Sequence, residues 1–433
     1  MSHIGQDRLQ LEPPSARPAR TGKLLTVFIP SYNRADKLDR CLRRLFKTID
    51  ATAFRDQIEV LVVDDFSSEP VERVIHAHRG RNRSLRYILH DTKCGVAEIA
   101  MLNCIQHVET QFAWCLGNDD YVLESAFDYL VPILRRSESS FFLLNFVGEE
   151  QDGTRYKYFR SKQTEVVFES GRQFFLNFGF ISATTTFPCL CFDVACLRDC
   201  DISRVTDLSP IYSHTALFAR AFRDRRCSFL PTPVAVFSHN EEAAEQEKLS
   251  GRNLAFKHPA FFHASAGLAR HLLALSQDTG IPLEELAAAH EDEIEKTSKT
   301  IKRTVLAYFI FKFAIVQLMH EMRVFHAPGD VSNDLCFVRE DMELLDDFFR
   351  RANFSELSAL LRQARGIYCD SRLRPEDKNW HLSNVIRSGQ AFESRMLAEI
   401  APLANAGGAI YYGDRSGPKL LYDDVRIFRR RAA

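Results

Sequence analysis

The sequence lacks several features that would assign it to a specialised class of protein. Its 433 residues carry 56 basic and 57 acidic side chains, so no overall charge excess favours a nucleic acid as partner. Residues 1–23 are polar and contain proline, so no signal peptide is predicted there. The 11 cysteines are an odd number without the spacing of a secreted domain. We therefore expect a reduced, cytoplasmic protein.

Long hydrophobic runs and zinc-ligand spacings are also missing. The apolar run at 304–319 contains Lys312 and is shorter than the roughly 20 residues that a membrane-spanning helix needs. A buried core helix is expected there, and a helix that lies on a membrane surface or against a partner is the alternative. The cysteines within residues 189–200 match no common zinc spacing and are expected to be buried thiols.

Short runs rich in β-branched residues alternate with amphipathic segments in the first half of the chain. The predicted strands are residues 24–30, 58–65, 85–90, 112–120 and 140–148. Between the first two, Leu38, Leu42 and Leu45 fall on one face of a predicted helix. This order predicts an α/β fold with a parallel sheet flanked by helices.

The pattern changes near residue 250, after which the chain is predicted to be almost wholly helical. We predict a disordered tail over 1–23, an α/β domain over 24–250 and a helical domain over 251–433. Four arginines in the last eight residues could contact anionic headgroups at the inner face of a membrane, and a solvated tail is the alternative. The sequence does not indicate an oligomeric state.

Polar residues follow three of the predicted strands, as "PSYNR", "DDFSS" and "GNDD". In open α/β sheets, ligands bind beyond the carboxyl ends of the strands, so these three segments are expected to converge on one crevice. Asp119 and Asp120 are adjacent carboxylates, which need either open solvent or a cation. The alternative is a set of independent turns and helix caps.

These segments resemble the N-terminal half of family 2 glycosyltransferases of GT-A fold. The resemblance is carried by "TVFIPSYNRADKLDRCLRRL", "IEVLVVDDFSS" and "DTKCGVAEIAMLNCIQHVETQFAWCLGNDD", in order and at similar spacing. It covers residues 24–150 and extends more weakly to about 240. It implies a GT-A type, Rossmann-like and mostly parallel sheet flanked by helices, with an α-helical C-terminal region beyond it.

The resemblance also implies how a nucleotide-sugar donor binds. Pro30, Ser31 and Tyr32 would border the base, and Tyr32 offers it an aromatic face. Asp65 would form a hydrogen bond with the base, whereas Asp64 is expected to brace the loop.

The "GNDD" segment would hold the rest of the donor and a metal. In the resemblance, Asn118 takes the place of another acid or small polar residue, Asp119 meets the ribose, and Asp120 binds a divalent cation, Mn²⁺ or Mg²⁺. Some relatives place a histidine beside the metal or diphosphate, which gives His239 that role, and a surface loop histidine is the alternative.

Two parts of the chain depart from the family pattern. Met101 and Leu102 precede Asn103 where many relatives have an arginine near the diphosphate. Lys93 could supply that charge or could be a solvated lysine. Where relatives carry the general base, this chain offers His214 and, earlier, Asp207; His214 as a capping or packing residue is the alternative.

The sequence therefore predicts an inverting, metal-dependent glycosyltransferase. It would move a sugar from a nucleoside diphosphate, UDP being favoured by family habit, to a glycan or lipid-linked acceptor in bacterial surface polysaccharide synthesis. A nucleotidyltransferase is disfavoured because no glycine-rich, lysine-bearing loop follows the first strand. The other alternative is a catalytically inactive GT-A-fold protein that binds or scaffolds a partner.

Overall fold

The computed structural model describes residues 22–238 with short internal gaps, 264–279, several residues within 307–319, 339–404 and most of 410–427. Its strands are β1 (Leu25–Ser31), β2 (Ile58–Asp64), β3 (Leu85–Leu89), β4 (Phe112–Cys115), β5 (Tyr121–Val122), β6 (Phe141–Glu149), β7 (Arg155–Lys157), β8 (Phe159–Ser161), β9 (Val166–Phe168), β10 (Leu190–Asp193), β11 (Cys227–Ser238), β12 (Ile410–Asp414), β13 (Gly417–Tyr422) and β14 (Val425–Ile427).

Helices flank the sheet and make up most of the described C-terminal region. They are α1 (Ala35–Ala51), α2 (Val71–Arg79), α3 (Ala97–Gln106), α4 (Ala126–Arg136), α5 (Gly171–Phe178), α6 (Ala195–Arg198), α7 (Ile202–Thr206), α8 (Ser213–Ala221), α9 (Ala264–Thr279), α10 (Arg339–Arg351), α11 (Ser355–Cys369) and α12 (Pro375–Ala404). This architecture confirms the predicted α/β class with a helical C-terminal region.

The predicted parallel arrangement is present in the first four strands. β1 pairs in parallel with β2 on one side and with β4 on the other, and β2 pairs in parallel with β3. Leu38, Leu42 and Leu45 of α1 are fully buried, as the helical periodicity predicts. Because the carboxyl ends of parallel strands meet at one edge, the loops after β1, β2 and β4 adjoin there.

The other half of the sheet mixes strand directions. β10 pairs antiparallel with both β4 and β6, and β11 runs parallel to β6. The short strand β5 pairs antiparallel with β11, so the backbone around Asp120 is held on both sides, by β4 before it and by β5 after it. The Trp114 indole N–H donates to the Pro188 carbonyl at 2.9 Å, which ties β4 to the turn before β10.

Helix α9 packs against the α/β part. Asp278 of α9 accepts hydrogen bonds from Arg204 of α7 and Arg220 of α8, at 2.8 and 3.0 Å. His271 of α9 lies 3.1 Å from the Ser209 carbonyl. The predicted domain boundary near residue 250 falls outside the described residues and stays a prediction.

Two further expectations concern the C-terminal half. The described residues of the apolar run 304–319 are helical and mostly buried, in agreement with a core helix. In the part of the chain that the structure describes, every helix is too short or too polar to cross a membrane. Strands β12 to β14 interrupt the predicted helical pattern, and β14 pairs with β8 of the α/β part.

Candidate functional site

The end of β1 and the loop after it form one side of the candidate site. Ser31 is buried as the last residue of the strand, Pro30 is half-buried, and the Tyr32 ring is 37% exposed. The Lys93 ammonium lies 3.9 Å from the centre of the Tyr32 ring, an arrangement that stabilises a cation over an aromatic face. The structure thus brings the predicted base-binding tyrosine together with Lys93, the lysine that could supply a charge for the diphosphate.

The two acids at the end of β2 have different surroundings. Asp64 accepts hydrogen bonds from the Ser67 backbone N–H and the Tyr87 hydroxyl, each at 3.0 Å, so it braces the loop as predicted. Asp65 is 6% exposed, and its Oδ1 accepts the Cys94 backbone N–H at 2.7 Å. Asp65 therefore faces the segment after β3, on the side of the site where the base is expected.

Gly117 leaves room for the two carboxylates of "GNDD". A Cβ atom built on Gly117 would lie 3.2 Å from Asp119 Oδ1, 3.2 Å from Asp120 Cγ and closer still to Asp120 Oδ2. Both carboxylates thus lie over the space that a side chain at Gly117 would fill. Neighbouring carboxylate oxygens are the ligands that Mg²⁺ and Mn²⁺ prefer, so these residues fit the divalent cation implied by the sequence.

Arg34, in the loop after β1, links that loop to "GNDD". Its guanidinium donates to Asp119 Oδ2 at 3.0 Å and to Asn118 Oδ1 at 3.5 Å. The Asn118 amide in turn donates to the Ser31 hydroxyl at 3.4 Å. The structure therefore joins the ends of β1 and β4 through polar contacts and places a fixed positive charge beside Asp119.

The two candidate general bases differ in burial, because His214 is buried and Asp207 is exposed. His214 in α8 is 2% exposed, with its Nε2 3.0 Å from the Thr184 carbonyl. Its Nδ1 has no hydrogen-bond partner among the described residues. Burial lowers the pKa of His214 to about 4, which holds the ring neutral near pH 7.

These surroundings favour a packing role for His214 over proton transfer with an acceptor that enters from solvent. Asp207 is exposed, one residue beyond α7. His239 lies outside the described residues. The roles predicted for these three residues stay predictions.

The sequence analysis missed two side chains at the end of β3. His90 follows that strand directly, and its Nδ1 lies 3.6 Å from Asp65 Oδ1 and 3.4 Å from Cys94 Sγ. Burial, followed by the hydrogen bond and charge of Asp65, raises the pKa of the Cys94 thiol to about 12. The strand-end rule that selects the loops after β1, β2 and β4 also selects His90, which directly follows the third strand.

A family model, that of glycosyl transferase family 2, matches residues 26–195. The matched segment runs from β1 through β10 and contains Tyr32, Asp65 and the "GNDD" residues. Helix α8, with His214, and the helices beyond it lie outside the match.

Several solved structures align with the chain over most of its length. TarS 1–349 of S. aureus aligns with a TM-score of 0.47 and 15% identity, over 85% of this chain and 91% of that one. The same protein in complex with UDP-GlcNAc gives the same TM-score, over 85% of this chain and 92% of that one. A mannosyltransferase, PcManGT from Pyrobaculum calidifontis in complex with GDP-Man and Mn²⁺, aligns with a TM-score of 0.39 and 15% identity, over 82% and 90%. No curated protein sequence is significantly similar to the chain.

Proposed function

We propose that the protein transfers a sugar from a nucleoside diphosphate donor to a glycan or lipid-linked acceptor. The main support for the proposal is that three polar strand ends lie at the same edge of the sheet. All three belong to the segment that matches the model of glycosyl transferase family 2. Tyr32 would stack on the base, Asp65 would form a hydrogen bond with it, and Asp119 would meet the ribose. A UDP-sugar is the first donor to test.

The proposed reaction depends on a divalent cation and inverts the anomeric centre. Asp120, with Asp119 beside it over Gly117, would hold Mn²⁺ or Mg²⁺, and the bound cation would stabilise the diphosphate leaving group. Inversion requires a general base near the acceptor hydroxyl. Asp207 is accessible to solvent, whereas His214 is buried, so Asp207 is the better of the two predicted bases. We place the activity in the synthesis of bacterial surface polysaccharide.

The replacement of a family arginine by Met101 and Leu102 is an argument for the alternative, a catalytically inactive scaffold. Arg34 weakens that argument, because it brings a guanidinium to the edge of the site and holds it 3.0 Å from Asp119. The Lys93 ammonium over Tyr32 is a second positive charge in the same region. The site therefore has cations that can face a diphosphate even without that arginine.

The first test is calorimetric titration with UDP, CDP, GDP and dTDP, with and without Mn²⁺. Asp120→Ala should abolish metal-dependent binding and turnover, whereas Asp65→Ala should mainly weaken affinity for the base. Asp56→Ala is the matched control, because its carboxylate is 95% exposed and precedes β2 at the opposite edge of the sheet. This control should bind nucleotide as the wild-type protein does.

Either outcome separates the two candidate functions. The transferase would be supported if one nucleotide binds in a metal-dependent way and this binding is lost in Asp120→Ala and kept in Asp56→Ala. The nucleotide that binds would also identify the nucleotide of the donor. Absence of binding for all four diphosphates would favour the scaffold. Unchanged binding in Asp120→Ala would refute the assignment of the metal site.

A further inference from the structure

Three side chains of different chemistry meet where β2 and β3 end. They are the Asp65 carboxylate, the His90 imidazole and the Cys94 thiol, and one ligand atom from each lies within 4.8 Å of the other two. Asp65 is 6% exposed and Cys94 9% exposed, so the cluster is shielded from bulk water. Among the described residues, this is the one group of three or more acidic, histidine or cysteine side chains close enough to share a metal ion.

Two of the three separations within the cluster, both measured from His90 Nδ1, match those of ligands around one tetrahedral ion. Zinc bonds of about 2.3 Å to sulfur and about 2.0–2.1 Å to nitrogen or oxygen place a sulfur and a nitrogen ligand about 3.5 Å apart. The same geometry places a nitrogen and an oxygen ligand about 3.4 Å apart. Cys94 Sγ lies 3.4 Å from His90 Nδ1, and His90 Nδ1 lies 3.6 Å from Asp65 Oδ1.

The surroundings hold these atoms in place. The Cys94 backbone N–H donates to Asp65 Oδ1 at 2.7 Å, which fixes the thiol-bearing segment against the carboxylate. The Asn103 amide of α3 donates to Cys94 Sγ at 3.0 Å. A donor of this kind stabilises a sulfur that carries negative charge, as metal-bound thiolates do.

The three ligand types select a different metal from the one expected at "GNDD". Thiolate and imidazole favour Zn²⁺ over Mg²⁺ or Mn²⁺, whereas sites made of carboxylates alone favour the harder ions. Three protein ligands also leave the fourth tetrahedral position open to water or to another small ligand.

We propose that Asp65, His90 and Cys94 form a zinc site, distinct from the cation site at Asp119 and Asp120. Asp65 is also the residue proposed to bind the nucleobase, and its carboxylate cannot serve both partners in the same geometry. Bound zinc therefore competes with the nucleoside diphosphate. This second statement rests on the proposed function, whereas zinc binding itself does not.

Zinc binding is tested without nucleotide, by calorimetric titration with Zn²⁺ and by absorption spectroscopy with Co²⁺ as a probe. The wild-type protein should bind one Zn²⁺, melt at a higher temperature with the ion, and show a thiolate-to-cobalt charge-transfer band. Cys94→Ala and His90→Ala should each weaken Zn²⁺ affinity by at least about 100-fold, and Cys94→Ala should lose the band.

Two control variants carry the same changes elsewhere. Cys369→Ala removes an exposed thiol and His76→Ala an exposed imidazole, and both should bind Zn²⁺ as the wild-type protein does. Thermal melting without metal shows whether each variant is folded, and Cys94→Ser is the second variant if Cys94→Ala is not. Equal Zn²⁺ binding by the Cys94 and His90 variants, or no binding by the wild-type protein, would overturn the site.

The competition has its own readout. Titration of UDP with Mn²⁺ present should show weaker binding once Zn²⁺ is added at a saturating concentration, and Cys94→Ala should abolish this effect. If Zn²⁺ binds at the cluster and UDP affinity is unchanged, the competition is refuted while the zinc site stands. If no nucleotide binds at all, the proposed function fails, and the direct Zn²⁺ measurement still decides the site.

Discussion

Replacing Gly117 by alanine tests whether the position of the Asp120 carboxylate controls the site. The added Cβ would meet Asp120 Oδ2 well inside 3.0 Å, a separation that real Cβ atoms essentially never show. To restore ordinary van der Waals contact, the carboxylate must retreat by about 1 Å, and a misplacement of this size costs about 100-fold in activity. The atoms that move are the ends of side chains, so we expect the fold to lose only about 1 kcal/mol, the low end of overpacking costs.

The assay is nucleotide titration at a series of Mn²⁺ concentrations, together with hydrolysis of the donor that binds. Gly117→Ala should weaken metal-dependent nucleotide binding and lower the rate of donor hydrolysis by about 100-fold, or about 2.7 kcal/mol of activation free energy, while its urea unfolding curve stays close to that of the wild-type protein.

Gly366→Ala is the matched control for this change. Gly366 lies in α11, and a Cβ built there meets nothing within 4 Å. This variant should gain up to about 1 kcal/mol of stability from helix propensity and should bind nucleotide normally. Wild-type affinity and Mn²⁺ dependence in Gly117→Ala would refute the carboxylate geometry, because the same oxygens could not then be the metal ligands.

Two further predictions concern stability. Trp114→Phe should lower the free energy of unfolding by about 1–3 kcal/mol, measured in urea, because it removes the indole N–H that donates to the buried Pro188 carbonyl. An unfolding midpoint equal to that of the wild-type protein would show that this hydrogen bond is dispensable. Burial lowers the pKa of His214 from 6.5 in the unfolded state to about 4 in the folded state. Between pH 6.5 and pH 4 the unfolded state therefore binds this proton and the folded state does not. The free energy of unfolding should fall as the pH is lowered from about 6.5 towards 4. His214→Gln should lose up to about 3 kcal/mol of that pH dependence, and an unchanged pH profile of unfolding would contradict the burial argument.

The sequence predicts the first half of the sheet well because each strand there repeats one physical pattern. Continuous apolar runs followed by amphipathic helices identify strands that are buried on both faces, and β1, β2 and β4 are almost wholly buried in this way. β3 lies at the edge of the sheet and is only partly buried. β10 does not follow this rule, since it spans only Leu190–Asp193 and enters the sheet antiparallel between β4 and β6. A four-residue strand has too few alternations to show its direction, and its neighbours are distant in sequence.

The site is predictable to the extent that it depends on strand ends. That rule selects Tyr32, Asp65 and Asp120, which the sheet order brings to one edge. It does not indicate side-chain direction, so the burial of His214 becomes visible only with the packing of α8. The contact between Arg34 and Asp119 likewise joins residues 85 positions apart and leaves no local signal in the sequence.

The strand order also shows how one edge of the sheet could hold both of the proposed cation sites. The strands lie side by side in the order β3, β2, β1 and β4. The Asp65, His90 and Cys94 cluster lies after β2 and β3, and the Asp119 and Asp120 carboxylates lie beside Gly117 after β4. β1, with Tyr32 and Arg34 after it, lies between the two sets. A nucleoside diphosphate that spans this edge would place its base at the sulfur-containing end and its phosphates at the all-oxygen end. A soft ion would therefore compete with the base, and a hard ion would assist the phosphates, so the effect of a metal on donor binding should change sign with the hardness of the ion.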